Sequence, residues 1–419
     1  MTRRLAVGLS VAVLAAVWAI SAYLLWQSKE PSLHLPHVSM SAFVPAAALH
    51  RADAYDRVAV LIAVAGILVE LAVFTIYVWW GPGFVRESAA GPVGTGMLLG
   101  MIGLSLLWLA TVPVTVLELW WDRRHGLGHQ SYLSAVLGGW AALGVKFVIL
   151  CIALGIVMGF ARLTGNWWWL AAAPVFVGIY ALLAFVSPYL TPDAHKVQDP
   201  QLASLVSTLA KKEGVGHIPV WVENVSSRTS LPNAETEGFG PSRRIVIWNT
   251  LLDGRFSTGE IKVVIAHELG HAKRDHIVKS IGWYALFAFP IAFLISLVTR
   301  RRGGMGEPAA VPLAILAYVV LGLVALPIQN VISRHREAEA DWLALQTTHD
   351  PKDAKALFAQ FVSTALADPN PPTWEYLLFE DHPTIAQRIA MIEAWQRSYA
   401  TSASRSASGS AAHEPYSSA

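Results

Sequence analysis

A chain of 419 residues with 54% hydrophobic and only 14% charged residues departs far from a soluble globular protein, where about a quarter of residues carry charge. Its formal net charge of +2 leaves no basic surplus for a nucleic-acid partner, and its mean hydropathy of +0.46 points to a lipid bilayer as the surrounding medium. The single cysteine, Cys151, excludes an intramolecular disulfide and a thiolate-rich metal site, so any metal site has to rest on imidazole and carboxylate.

Crossing a bilayer as a helix takes about 20 mostly apolar residues. Five such runs come first, at 4–26, 58–80, 93–119, 134–160 and 167–190, and two more follow at 281–299 and 310–332. The expected fold is therefore a predominantly α, multi-pass membrane protein with seven transmembrane helices in a chambered bundle. The first run follows MTRR; at roughly 22 apolar residues it exceeds the 7–15 of a signal-peptide core, so it reads as a retained span. Glu70, Glu118 and Lys146 fall in or at the ends of spans, where an ionisable group faces the bundle interior, lines a wet cavity or snorkels to the interface.

Between the fifth and sixth runs the chain has soluble character. DPQLASLVSTLAKKEGV reads as an amphipathic helix with Asp199 near its start and a glycine stop. IPVWVENV and RRIVIWNTLL alternate like strands, and PNAETEGFGPS between them reads as a turn-rich link. STGEIKVVIAHELGHAKRDH then reads as a helix that Ser257 caps, with Glu260 completing a capping box. SRHREAEADWLALQ, after the seventh run, is a further helical stretch, and TSASRSASGSAAHEPYSSA has the composition of a disordered tail.

His267 and His271 stand four apart on one helical face, so both imidazoles can reach a single ion. Glu268 is placed beside them to touch a water on that ion rather than the ion itself, as metal-assisted hydrolysis requires. A catalytic zinc takes a third protein ligand. The metzincin pattern fails, because Arg274 and Ile277 stand where it needs glycine and histidine. The other common arrangement is a carboxylate from a separate helix. REAEAD supplies Glu337, with Asp341 on the same face to orient a ligating imidazole. Two spans separate His271 from Glu337, and an even number of crossings returns the chain to the same side of the membrane. His125 and His129 read as loop residues, His276 and His335 as polar-face residues near a helix end, and Glu339 as a weaker alternative to Glu337.

HELGH between the fifth and sixth spans, SRHREAEAD after the seventh, NWWWLAAAPVFV, PNAETEGFGPSRRIVIWNTLL and DHPTIAQRI occur in one order. With them the chain resembles the type 1 CAAX prenyl proteases, integral-membrane zinc metallopeptidases, over roughly residues 55–395. The resemblance implies one Zn2+ held by His267, His271 and Glu337, with Glu268 as general base and Asp341 behind the ligands. It also implies that Asn233 and Ala234 belong to an edge-strand motif that pairs with an extended peptide. His382 would stabilise the oxyanion, Arg388 would support the site, and the spans would enclose a large water-filled chamber. Three positions depart from the family pattern: Asn249 stands where an acidic residue is common, and Pro232 and Glu235 flank the Asn233–Ala234 pair.

The expected organisation is five helices with loops over 1–190, a zincin-like α+β catalytic segment with a small sheet over 191–280, and helices six and seven over 281–332. A helical part over 333–398 would complete the zinc site, and 399–419 would be the tail. The expected function is a zinc endopeptidase acting on a peptide or protein substrate at the bilayer. Two alternatives stay open: a quality-control metalloprotease of the heat-shock type, and a seven-span transporter or receptor with a structural zinc. Glu268 argues against the last, since a structural site needs no free carboxylate beside its metal. Composition favours a bacterial cell membrane over the endoplasmic reticulum membrane. MTRR and TRRR (299–302) would make the side opposite the catalytic segment cytoplasmic, whereas the resemblance implies the reverse.

Overall fold

The computed structural model describes residues 3–31, 33–84, 89–191 and 193–410. Helices α1 (Arg3–Trp26), α2 (Ala46–Trp80), α3 (Gly91–Arg124), α4 (Tyr132–Thr164) and α5 (Trp168–Val186) come first. They are apolar nearly all round, as helices that must satisfy their own backbone groups in lipid have to be. Among the described residues, five stretches are long and apolar enough to cross a membrane: Ala46–Gly83, Gly91–Arg124, Tyr132–Tyr189, His276–Arg302 and Pro308–Thr348. Ala12–Trp26 is a shorter apolar helix. The third stretch is broken by Gly165, whose φ of +59° ends α4 before α5 begins. The seven crossings of the sequence reading are reached only by counting α1 and both halves of that stretch separately.

The soluble segment opens with β1 (Ala194–Lys196), α6 (Pro200–Glu213), β2 (Val220–Glu223), β3 (Ala234–Glu237) and β4 (Arg244–Trp248). As expected, Asp199 caps α6 and a left-handed Gly214 ends it. The sheet runs β1-β2-β4-β3, with β2 and β4 parallel and the outer pairs antiparallel. β4 is interior because Ile245, Val246 and Ile247 are all fully buried. β3 is an edge strand inside the stretch that reads as a turn-rich link. Its two glutamates carry little strand propensity, and pairing with β4 overrides them. The loop holding His125 and His129 is a strap: Gly128 forms a bridge with Thr229, and His129 N–H donates to Arg228 O at 2.9 Å.

Next come α7 (Thr258–Lys273), α8 (His276–Thr299), α9 (Val311–Thr348), α10 (Pro351–Thr364), α11 (Thr373–Leu378) and α12 (Ile385–Ser410). The separation between a span ending at 332 and a new helix from 333 does not occur: α9 is one 38-residue helix. No glycine or proline falls between Gln329 and Thr348 to break it, so the apolar helix carries straight on into the segment bearing Glu337. Ile245 and Ile247 meet Ile265 and Leu269 of α7, Leu345 of α9, Phe358 of α10 and Ile389 of α12 in the core of this half. α12 stays helical through Ser410, beyond the expected tail boundary, and residues 411–419 lie outside the described residues.

One close approach fixes where α7 meets α9. A Cβ on Gly270 would stand 3.2 Å from both Cα and O of Ala340, so the two helices touch backbone to backbone between His271 and Glu337.

Candidate metal centre

The helix that carries the histidines is anchored at its start. Ser257 Oγ accepts from Glu260 N–H at 3.2 Å, and the Glu260 carboxylate accepts from Ser257 N–H at 2.7 Å. From there α7 runs under the sheet, and one turn of it presents His267 and His271 to α9.

Three groups converge. His267 Nε2 lies 3.0 Å from His271 Nε2 and 3.1 Å from Glu337 Oε2, and His271 Nε2 lies 3.3 Å from Glu337 Oε1. A tetrahedral ion with bonds of about 2.0–2.1 Å spaces its donors about 3.3 Å apart, so this set fits a zinc-sized cation. Among the described residues it is the only His/Cys/Asp/Glu group close enough to hold a metal. Glu337 Oε2 is buried and makes no aligned hydrogen bond although imidazole nitrogens surround it, which is the behaviour of a lone pair aimed at a shared point. Burial disfavours a charge on His267, but Asp341 and Glu337 outweigh it and raise its pKa to about 9; a cation binding there displaces that proton.

Behind each imidazole stands a second group. Asp341 Oδ1 accepts from His267 Nδ1 at 2.8 Å. Arg388 grips Asp341 with two bonds, Nε to Oδ2 at 2.7 Å and Nη2 to Oδ1 at 2.6 Å, and lies over the Phe358 ring. His276 Nδ1 lies 2.8 Å from His271 Nδ1, and its Nε2 donates to Glu339 at 3.1 Å. His276 and Glu339 are thus buried supports of His271, not a polar-face residue and a rival ligand. No spacing rule could have shown this, because His276 opens a different helix from His271. Arg388→Ala should weaken metal retention about 10–100-fold, as loss of an outer partner usually does; competition with a chelator measures it.

Glu268 is buried, and Thr236 Oγ1 of β3 lies 3.0 Å from its Oε2 and 2.8 Å from its backbone O. The edge strand therefore orients the carboxylate next to the histidines, a contact with no signature in the sequence. Ala234 opens β3, and Asn233 O accepts from Trp248 N–H at 2.9 Å, so that carbonyl is committed to β4. Asn249, where the resembling family commonly has an acidic residue, ties the end of β4 to the β2–β3 loop by accepting from Val225 and Ser226 N–H.

His382 projects from the loop before α12, with Nε2 3.2 Å from Glu337 Oε2 and Nδ1 2.6 Å from Asp381 Oδ1. Burial works against its protonation, but Asp381 and Glu337 overcome it and raise its pKa to about 10. Of the nine site residues expected from the sequence, eight lie on α7, β3, α9 and the segment from His382 into α12, and Asn233 immediately precedes β3.

The profile of peptidase family M48 matches residues 196–396. An uncharacterized metalloprotease YhfN of Bacillus subtilis is 24% identical over 299 residues, 68% of this chain and 70% of that protein. CAAX prenyl protease 1 of Saccharomyces cerevisiae is 24% identical over 61% of this chain and 63% of its own length. A protease HtpX homolog of Acidiphilium cryptum is 31% identical over 53% of this chain and 83% of its own. The crystal structure of S. mikatae Ste24p superposes with a TM-score of 0.70 at 18% identity, covering 90% of this chain and 96% of that one, which shows a shared fold.

Proposed function

The chain belongs to peptidase family M48 and is an integral-membrane, metal-dependent protease, and from that premise we propose that it is a zinc endopeptidase with one ion on His267, His271 and Glu337. The observation that carries this reading is the 3.0–3.3 Å spacing of those donors on two helices locked at Gly270. A zinc ion there supplies Lewis acidity to water and to the scissile carbonyl. Glu268, held by Thr236, takes the proton of the attacking water and returns it to the leaving amine. His382 donates a hydrogen bond to the oxyanion. An extended peptide lies along the open edge of β3, next to Ala234.

The experiment is zinc content and cleavage by the detergent-purified protein, with a prenylated and an unprenylated peptide side by side. The yeast relative's name points to CAAX prenyl substrates and the HtpX relative's does not. We place the substrates among unprenylated membrane proteins of a bacterial cell membrane, which the chain's composition favours; selective cleavage of the prenylated peptide would reverse that assignment.

His382→Ala removes that donor and should lower kcat/KM about 10²–10³-fold while zinc per chain stays at the wild-type level. An unchanged kcat/KM would take His382 out of this role.

A further inference from the structure

We propose that the segment following α1 is a working part of the metal centre: the backbone N–H of Lys29 positions His271 through Glu339 and His276. The inference rests on reading His267, His271 and Glu337 as metal ligands.

α1 is laid along α8 and α9 by a series of contacts. Trp18 Nε1 donates to Leu286 O at 3.1 Å. A Cβ on Gly282 would stand 2.8 Å from Leu25 Cδ2, so a larger residue there has to push the Leu25 side chain aside. The Trp26 ring stacks on His335 with centroids 4.1 Å apart and planes 4° apart, and Trp26 O accepts from His335 Nε2 at 2.8 Å. Lys279 Nζ donates to Gln27 O at 3.3 Å. This placement delivers Lys29 N–H to Glu339 Oε1 at 2.8 Å.

Glu339 is 1% exposed and also accepts from Arg274 Nε at 2.6 Å. A carboxylate buried that deeply needs each of its donors. It can only accept, so His276 presents Nε2–H to it at 3.1 Å. The Nδ1 of neutral His276 is then an acceptor, and His271 must donate its Nδ1–H across 2.8 Å. That leaves the lone pair of His271 Nε2 facing His267 and Glu337. The relay from Lys29 thus fixes both the ring orientation of His271 and which nitrogen is free to ligate.

The test measures the zinc dissociation constant of the full chain in detergent by chelator competition, and the visible spectrum of the cobalt(II)-loaded protein. Lys29→Pro removes the N–H and Lys29→Ala keeps it. Lys29→Pro should bind zinc about tenfold more weakly and shift the cobalt bands, with Lys29→Ala matching wild type. In a Glu339→Ala background the proline should cost nothing further. Gly282→Val, which touches no polar group, should reproduce the loss by pushing Leu25 away, and it carries the test if the proline variant does not fold. Wild-type affinity and spectrum in Lys29→Pro and Gly282→Val would overturn the proposal. So would a proline effect that adds in full to Glu339→Ala. A wild-type chain that binds no zinc would sink the metal reading and this relay with it, whereas zinc binding without peptide cleavage would sink the peptidase reading alone.

Discussion

Glu268→Gln should abolish peptide cleavage while the protein keeps its full complement of zinc. The amide preserves the size of the side chain, and its oxygen can still accept from Thr236 Oγ1, now 3.0 Å from Oε2. It cannot take a proton from water, and loss of general-base catalysis costs about 10²–10⁴-fold in rate. The three donors of the metal set are separate side chains, so zinc per chain should match wild type. Retained cleavage would move the base to another group. Loss of zinc would instead make Glu268 a ligand.

The parts of this site that were legible in the sequence are those written in local spacing. His267, Glu268 and His271 lie within one turn and a half of α7, and Ser257 and Glu260 close the box that starts it. Glu337 was reachable despite its distance along the chain because two crossings return to the same side, and Asp341 followed from the helical period. The supports of His271 were not legible. His276 and Glu339 become partners only because α8 and α9 pack side by side, and no pattern along one helix states which face meets its neighbour. Thr236 was hidden for a related reason: β3 exists because β4 pairs with it, so a stretch of Ala, Glu and Thr among turn residues gave no strand signal. The runs read at 134–160 and 167–190 form one apolar stretch, Tyr132–Tyr189, which the backbone at Gly165 divides into α4 and α5, and the count of seven also includes the shorter apolar helix α1.

Glu337→Ala should release the metal. Two imidazoles would remain, with no carboxylate to supply negative charge, so affinity should fall by more than the roughly 10–100-fold that an outer partner costs. Glu339, two residues on, cannot take over. Its oxygens are committed to Arg274, His276 and Lys29 N–H, on the side of α9 where they meet His271 only through His276. With zinc stripped from both proteins, the change should also reach His267 and His382, because Glu337 is one of the carboxylates that keep each of them protonated in the metal-free chain, and both should titrate at lower pH in the variant. Zinc per chain, with NMR titration of the imidazoles, reads both effects. If zinc stayed stoichiometric, the third ligand would be some other group, and the spacing of His267, His271 and Glu337 would have to be an ion-pair network alone. Glu337→Gln separates charge from volume: it fills the same space, so a zinc loss close to that of the alanine variant would show that the carboxylate's charge, rather than the packing between α7 and α9, holds the ion.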